Sequence, residues 1–306
     1  MISLIFPVYN EQDNLRLLYE RVQKVCDTIP DEKFEFVFVD DCSGDSSPQI
    51  LRELNGKDRR VKVIRFARNC GSHAALAAGL NFCSGHCAVV LAADLQDPPE
   101  IISELLDKWQ RGAKIVWGVR KAREGESLLR KFFAGIYYRL MNWLTEIRMP
   151  PSGADVFLAD RVVINAYKQM SEKHTSVFMA LAWLGFPQNK ISYTKQARHQ
   201  GHSKWTLGRK FKLAVDSLLS FSDVPVRYMS ALGFLTAIAG FAYALYVIWE
   251  YIFLEIPVQG WSSLIVAILV VGGIQMMMLG VLGEYLWRTY DESRKRPRFV
   301  VEYTLE

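Results

Sequence analysis

Val90-Leu-Ala-Ala-Asp-Leu-Gln-Asp-Pro-Pro-Glu100 is the stretch on which the reading of this chain turns. An apolar run, Ala88–Leu91, stops on Asp94, Gln96 and Asp97, meets two prolines and passes into a helical pattern. A strand that ends on acidic groups before a sharp turn sets oxygen ligands at its carboxyl end, where open α/β sheets collect their ligands. Such donors suit Mg2+ or Mn2+, which take one or two carboxylates plus substrate phosphates. The same residues also make a helix start, with Asp97 as N-cap ahead of Pro98-Pro99. The neighbouring segments decide between the two.

Upstream, the chain repeats the pattern. Ile2–Phe6 is a fully apolar strand leading into Pro7-Val-Tyr-Asn-Glu11, after which Asn10 or Asp13 caps a helix over Leu15–Cys26. Phe34–Val39 ends in Asp40-Asp-Cys-Ser-Gly-Asp45 and a helix over Ser47–Leu54; Val61–Phe66 ends in Arg68-Asn-Cys-Gly71 and a helix over His73–Phe82. Downstream, a helix over Glu100–Arg111 precedes a strand over Lys114–Val119 that ends at Arg120. Strands alternating with helices through short loops imply a mainly parallel sheet with right-handed crossovers. Tyr9, Glu11, Asp41, Asn69, Asp94 and Arg120 then fall at strand ends along one edge and share one crevice. One acidic strand end is usually a cap; a row of polar strand ends is a site. The glycine signatures of a dinucleotide-binding turn or a P-loop do not occur, so carboxylates on base and ribose, with a metal on the diphosphate, are the expected means of holding a nucleotide.

Beyond Arg120 the pattern loosens. Phe132–Leu144 reads as an aromatic-rich amphipathic helix, and Asp155–Arg161 as a short strand running into a helix over Val162–Met170. The apolar segment Ser176–Leu184 is too short to span a bilayer and is either core or an interfacial helix. Ile191–Gln196 reads as a strand delivering Arg198-His-Gln-Gly-His-Ser-Lys-Trp205, and Phe211–Phe221 as a basic amphipathic helix in a membrane interface.

The 306 residues carry a net charge of +5 and are half hydrophobic, but the apolar excess is concentrated in 228–287. Tyr228–Phe253 and Trp261–Trp287 are each long enough to cross about 30 Å of hydrocarbon. Basic residues flank the pair (Lys204, Arg209, Lys210, Lys212 and Arg227 before; Arg288, Arg294, Lys295, Arg296 and Arg298 after), and none lies in the connection. By the positive-inside rule this is a helical hairpin of the plasma (inner) membrane with both chain ends cytoplasmic. Its glycines suit close helix contact and a homo-oligomer. The basic clustering points to a membrane surface, with nucleic acid not expected as a partner. Five scattered cysteines fit reduced thiols better than a disulfide framework. Met1-Ile-Ser-Leu-Ile-Phe-Pro7 lacks a basic leader, so no signal peptide is expected. The expected division is a catalytic domain over 1–170, an acceptor-binding and juxtamembrane segment over 171–226, the hairpin over 227–290 and a cytoplasmic tail over 291–306.

Taken in order, Pro7-Val-Tyr-Asn-Glu11, Val39-Asp-Asp-Cys-Ser-Gly-Asp45, Arg68-Asn-Cys-Gly71, Ala93-Asp-Leu-Gln-Asp-Pro-Pro-Glu100 and Gly201-His-Ser-Lys-Trp205 resemble family 2 glycosyltransferases with a GT-A fold. More narrowly, the chain is similar to polyprenyl-phosphate glycosyltransferases: bactoprenol glucosyltransferases, aminoarabinose transferases and dolichol-phosphate mannose synthases. The resemblance covers the whole chain, and the hairpin and the Arg-x-x-Gly-x-Ser-Lys segment belong to that narrower group. It implies that positions matching Pro7, Tyr9, Asn10, Glu11, Val39, Asp41, Asn69, Gly71, Ala93 and Arg120 hold the nucleotide-sugar, and that Asp94 and Gln96 hold Mg2+ or Mn2+. It implies that Arg130, Arg198, Ser203 and Lys204 handle the diphosphate or the acceptor phosphate, and that Asp94, Asp155 and Arg198 form the catalytic set. A solvated headgroup patch is the plainer reading of Arg198 and Lys204, and a structural cap that of Asp155. The chain departs from the family at Ala92, where Asp-Ala-Asp-Leu-Gln is usual. Either Asp94 and Gln96 suffice, with or without Asp97, or metal affinity is reduced, or the sequence has been altered at this position. The function this implies is inverting transfer of a hexose, glucose from UDP-glucose, to a polyprenyl (undecaprenyl or dolichyl) phosphate. GDP-mannose and UDP-aminoarabinose are the alternative donors, and a metal-site-impaired nucleotide-sugar-binding membrane protein is the non-enzyme alternative.

Overall fold

The inner strands form because short apolar runs find partners on both sides. In the computed structural model, which describes residues 1–121, 154–170, 172, 175–196, 224–254 and 260–306, one sheet of 8 strands runs in the order β7-β5-β6-β4-β1-β2-β3-β8. The strands are β1 (Ile2–Val8), β2 (Phe34–Asp40), β3 (Val61–Phe66), β4 (Cys87–Val90), β5 (Ile115–Arg120), β6 (Val156–Asp160), β7 (Gln188–Tyr193) and β8 (Val301–Leu305). The helices on the sheet are α1 (Gln12–Asp27), α2 (Ser47–Lys57), α3 (Ser72–Phe82), α4 (Ile101–Gln110), α5 (Arg161–Lys168) and α6 (Val177–Trp183). β1 is wholly buried at its centre, as are β2 and β4, and their Ile, Val and Phe side chains build the core with Leu15, Leu18, Leu51 and Leu105. Pro7 is tolerated in a central strand because β4 pairs only with Ile2–Ile5, so the missing N–H breaks no ladder on that side.

β1 to β4 lie parallel to their neighbours in the order 4-1-2-3, which puts a topological switch between β4 and β1. The mainly parallel GT-A arrangement expected from sequence is the one found. β6 runs antiparallel to both β4 and β5, and β8 antiparallel to β3. The segment 176–184, open between core and interface, belongs to the core: Val177, Leu181 and Ala180 are buried, and Phe178 packs on Trp117 and Phe157.

The division expected from sequence needs two changes. α6 and β7, placed in a juxtamembrane segment, belong with the sheet, β7 pairing along β5. Residues 291–306 are not simply a tail. Val301–Leu305 is the last strand of the sheet, held by Arg65–Glu302 (2.9 Å) and by Phe299 stacked on Phe66 (5.1 Å). The compact units are Met1–Ser217 with Pro297–Glu306, and Leu218–Arg296.

The second unit holds α7 (Val224–Leu254) and α8 (Trp261–Ser293). Within them Val226–Glu250 and Val266–Ser293 are long and apolar enough to cross a bilayer. The helices touch where a Cβ on Gly233 would come 2.9 Å from the Met278 side chain. Phe234, Phe241 and Met276 are more than two-thirds exposed, an apolar surface that water does not favour. The expected helices over 132–144 and 211–221 lie outside the described residues.

Candidate functional site

The carboxyl ends of β1, β2, β3 and β4 open on one edge of the sheet, and the antiparallel direction of β6 brings its amino end, with Asp155, to the same edge. β5 and β7 deliver Arg120 and Tyr193 there in register. The polar strand ends read from the sequence therefore do fall along one edge of the sheet, in three groups of residues.

The first group joins the loops after β1 and β2. Asn10 takes φ +53, a left-handed conformation that asparagine tolerates. Its N–H donates to Ser43 Oγ (2.9 Å) and its Oδ1 accepts from the Gly44 N–H (2.8 Å). Glu11 donates its N–H to Ser47 Oγ (3.0 Å), while its carboxylate accepts from Asn14 Nδ2 (2.7 Å). Neither Asn10 nor Asp13 caps α1. The N-cap is Glu11, with no side-chain cap, because the Asn10 side chain is committed to the neighbouring loop. Tyr9 is partly exposed, whereas Val39, expected at the nucleotide site, is wholly buried between β1 and β3.

The second group centres on Asp41, which is 3% exposed. Its carboxylate accepts the N–H of Cys70 (2.6 Å) and of Gly71 (2.9 Å), and its carbonyl accepts from Asn69 Nδ2 (3.2 Å). Gly71 sits at φ +89, where a side chain would be strained. Burial pushes the Asp41 carboxyl above its usual range; the two amides pull the other way without cancelling it. Next to it Asp40 is held by Arg65, which also reaches Glu302 on β8. Three expected nucleotide-site residues, Asp41, Asn69 and Gly71, thus form one bonded unit.

The third group is the turn after β4. Asp94 is 9% exposed, and its Oδ1 accepts the Gln96 N–H (3.2 Å). Between them Leu95 adopts φ +58 with its side chain buried, a strained conformation that only surrounding packing can hold. Asp97 is no helix cap, since α4 begins at Ile101 behind Glu100. It is 1% exposed, accepts the Tyr193 hydroxyl (2.6 Å) and lies 3.5 Å from Lys195 Nζ. Burial raises the Asp97 carboxyl, against the pull of Lys195 and the Tyr193 hydroxyl, and burial likewise raises Tyr193. Asp155 is no cap either. Asp160 caps α5, accepting the Val162 N–H, and Asp155 pairs with Lys195 (3.1 Å). Ala93 is buried beside the turn, and Arg120 is exposed at the end of β5. Arg130, Arg198, Ser203 and Lys204 lie outside the described residues.

The donor set fits a hard divalent cation. Among the described residues no three His, Cys, Asp or Glu side chains converge on one point; Asp94 and Gln96, expected from sequence as cation ligands, lie on the same turn with the Gln96 N–H on Asp94 Oδ1. The shell of such a cation is completed by waters and substrate phosphates. The buried Asp97 Oδ2 has no hydrogen-bond partner among the described residues, while its Oδ1 faces Lys195 and the Tyr193 hydroxyl. Sequence reasoning missed Tyr193 and Lys195; the only signal was a cation at the end of a short strand.

A profile of "Glycosyl transferase family 2" matches residues 3–168. An uncharacterized glycosyltransferase of Bacillus subtilis (strain 168) is 40% identical, over 98% of this chain and 93% of its own. The bactoprenol glucosyl transferase of Shigella phage SfV is 34% identical, over 98% of each chain. Among solved structures, mannosyl-3-phosphoglycerate synthase from Rubrobacter xylanophilus superposes with a TM-score of 0.51 at 16% identity, covering 71% of either chain, a likeness of fold alone. Sequence and sheet order agree: the chain belongs to glycosyl transferase family 2 and is a glycosyltransferase with a GT-A catalytic domain.

Proposed function

We propose that this glycosyltransferase moves glucose from UDP-glucose onto a polyprenyl phosphate at the cytoplasmic face of the plasma (inner) membrane. The observation that carries the reading is similarity to a bactoprenol glucosyl transferase at 34% identity over 98% of the chain, a span that includes both apolar helices. A soluble acceptor would not need that hairpin; a lipid phosphate does.

The crevice chemistry supports the same reading. Asp41, Asn69, Gly71 and the Tyr9–Glu11 loop offer carboxylate, amide and backbone groups for base and ribose. Asp94 and Gln96 would hold Mg2+ or Mn2+ against the donor diphosphate, and the bound cation supplies charge neutralisation as the diphosphate leaves. Arg120 stands at the same edge as a further cation, and Arg130, Arg198, Ser203 and Lys204 are the sequence candidates for the acceptor phosphate. An isoprenoid phosphate is anionic near neutral pH and attacks C1 of the sugar without a strong general base; one in-line displacement, with the nucleoside diphosphate leaving from the opposite face, inverts the configuration. What the protein must supply around it is positive charge, for which arginine's fork suits phosphate. Asp155, at the amino end of β6, is the sequence candidate for orienting the acceptor or acting as a weak base. The charge flanks of the hairpin support cytoplasmic termini. A methyl added at Gly240, Gly272, Gly273, Gly280 or Gly283 would have nothing within 4 Å of it, which leaves faces for a second hairpin in a homo-oligomer.

The test is a donor panel. Membranes containing the protein are incubated with short-chain polyprenyl phosphate and labelled UDP-glucose, GDP-mannose or UDP-aminoarabinose, and organic-phase label is counted. Label from UDP-glucose alone is the expected result. Label only from another donor overturns the sugar assignment, and label confined to the aqueous phase overturns the lipid acceptor.

A further inference from the structure

The turn after β4 is held from outside by a segment with no assigned role. After β7 the chain runs Thr194-Lys195-Gln196, and Lys195 sets its ammonium 3.1 Å from Asp155 Oδ2 and 3.5 Å from Asp97 Oδ1. Its side chain is 17% exposed, so the charge is largely withdrawn from water. Two neighbouring bonds fasten the same segment to the same turn: Tyr193 donates its hydroxyl to Asp97 (2.6 Å), and the Gln196 N–H donates to the Gln96 carbonyl (2.8 Å). The turn is thus gripped at Gln96 and at Asp97. Leu95, between the two oxygen donors Asp94 and Gln96, sits in a left-handed conformation that leucine avoids, so an external restraint is required. Without the ammonium, Asp97 and Asp155 would lose the cation that bridges them and with it one of the restraints on the turn. Ala92 supplies no carboxylate of its own, which leaves the spacing of Asp94 and Gln96 to decide cation affinity.

We propose that Lys195 is a positioning residue for the cation turn: bridging Asp97 and Asp155, it fixes the spacing of Asp94 and Gln96 and so sets the affinity for the divalent cation. The inference rests on the reading of Asp94 and Gln96 as the cation's protein ligands. Outer partners of metal ligands typically change metal affinity by about 10- to 100-fold when removed. Lys195→Met keeps the length and apolar stem but not the charge, and Lys195→Arg restores the charge.

The full chain, purified in detergent, is titrated with Mn2+ in two readouts: sugar transfer at saturating donor, and thermal unfolding in the presence of UDP. Lys195→Met is expected to raise the half-saturating Mn2+ about tenfold or more in both, with kcat at saturating Mn2+ little changed, and Lys195→Arg to recover most of the loss. Half-saturation of Lys195→Met within about twofold of wild type overturns the proposal, as does a loss of turnover that saturating Mn2+ does not relieve. Should Lys195→Met fail to fold, Lys195→Gln removes the charge and keeps a polar side chain; a rise of about tenfold supports the proposal and an unchanged value overturns it. Wild type that responds to Mn2+ and an Asp94→Ala variant that does not keep the underlying cation reading intact whichever way Lys195 falls. A wild type indifferent to Mn2+ overturns both.

Discussion

Asp41→Ala is the sharpest perturbation of the nucleotide side of the crevice. The carboxylate is 3% exposed and receives two backbone N–H groups, from Cys70 at 2.6 Å and Gly71 at 2.9 Å. A hydrogen bond to a charged group contributes roughly 1.5–3 kcal/mol net. Burial already disfavours the ionised form, and water can reach the freed amides, which are only half-buried, so the lower end applies and the pair amounts to about 3 kcal/mol. For a catalytic unit of this size that corresponds to a melting temperature lower by roughly 6–12 °C. The loop over 68–71 also loses its fixed position, and if it contacts the nucleoside a further loss of about 1.4 kcal/mol raises the donor KM about tenfold with kcat little changed. Asn at the same position keeps one oxygen acceptor and turns an N–H toward the second amide, so Asp41→Asn falls between. Because the folded-state pKa of Asp41 is raised, donor binding weakens on acidification from above the ordinary aspartate range, and Asp41→Asn removes that acid limb. The assays are thermal unfolding with and without UDP, and donor KM against pH. An Asp41→Ala protein that melts and binds donor as wild type does refutes the role given to this carboxylate.

Other perturbations test the frame around the site. A methyl on Gly79 of α3 would run into Cγ2 of the buried Ile5, so Gly79→Ala should cost roughly 1–3 kcal/mol by overpacking. In a double-mutant cycle read by thermal unfolding, Ile5→Ala should absorb part of that cost; strict additivity would contradict the contact. Removing residues 297–306 uncovers the edge of β3 and frees Arg65, which holds Asp40 beside Asp41. Lower melting, a higher donor KM and a tendency to associate through the bare edge are expected, and an unchanged KM would show that β8 does not reach the site. Glu35 is buried on the opposite edge of the sheet; burial raises its pKa, but Ser3, the Ser84 amide and Lys62 lower it further, to a net value below 4.5. Its stabilisation is therefore complete above about pH 4.5 and lost as pH falls through the lowered value, and Glu35→Gln should flatten the acid side of a melting-temperature profile.

The parallel core was legible because period and punctuation agree: apolar runs at Ile2–Phe6, Phe34–Val39 and Val61–Phe66 end on Asn, Asp and Gly that helices follow. The candidate site was legible for the same reason, since strand ends on one edge of a parallel sheet share a crevice wherever the helices lie. What was not legible depends on contacts between distant positions. Asp97 before two prolines has the local chemistry of a helix cap, and only Tyr193 and Lys195, strands away, give it another role. Asp155 and Lys195 are 40 positions apart, and no periodicity links them. Val301–Leu305 alternates weakly, with Glu302 and Thr304 facing outward between Val301, Tyr303 and Leu305, and becomes a strand only by docking on β3. Position 92 marks the other kind of limit: the missing carboxylate is plain in the sequence, but how Asp94 and Gln96 are held without it is a matter of three-dimensional restraint.

One comparison weighs the cation turn and the transfer reaction together. Purified wild type and Asp94→Ala are incubated with labelled UDP-glucose and short-chain polyprenyl phosphate, before and after chelation and re-addition of Mg2+ or Mn2+. Wild type should form lipid-linked glucose that chelation stops and the cation restores, while Asp94→Ala, with an unfolding profile like that of wild type, should lose about 100-fold or more of that activity. Lipid-linked glucose made at the wild-type rate by Asp94→Ala, or made by wild type regardless of chelation, would contradict the site as assigned.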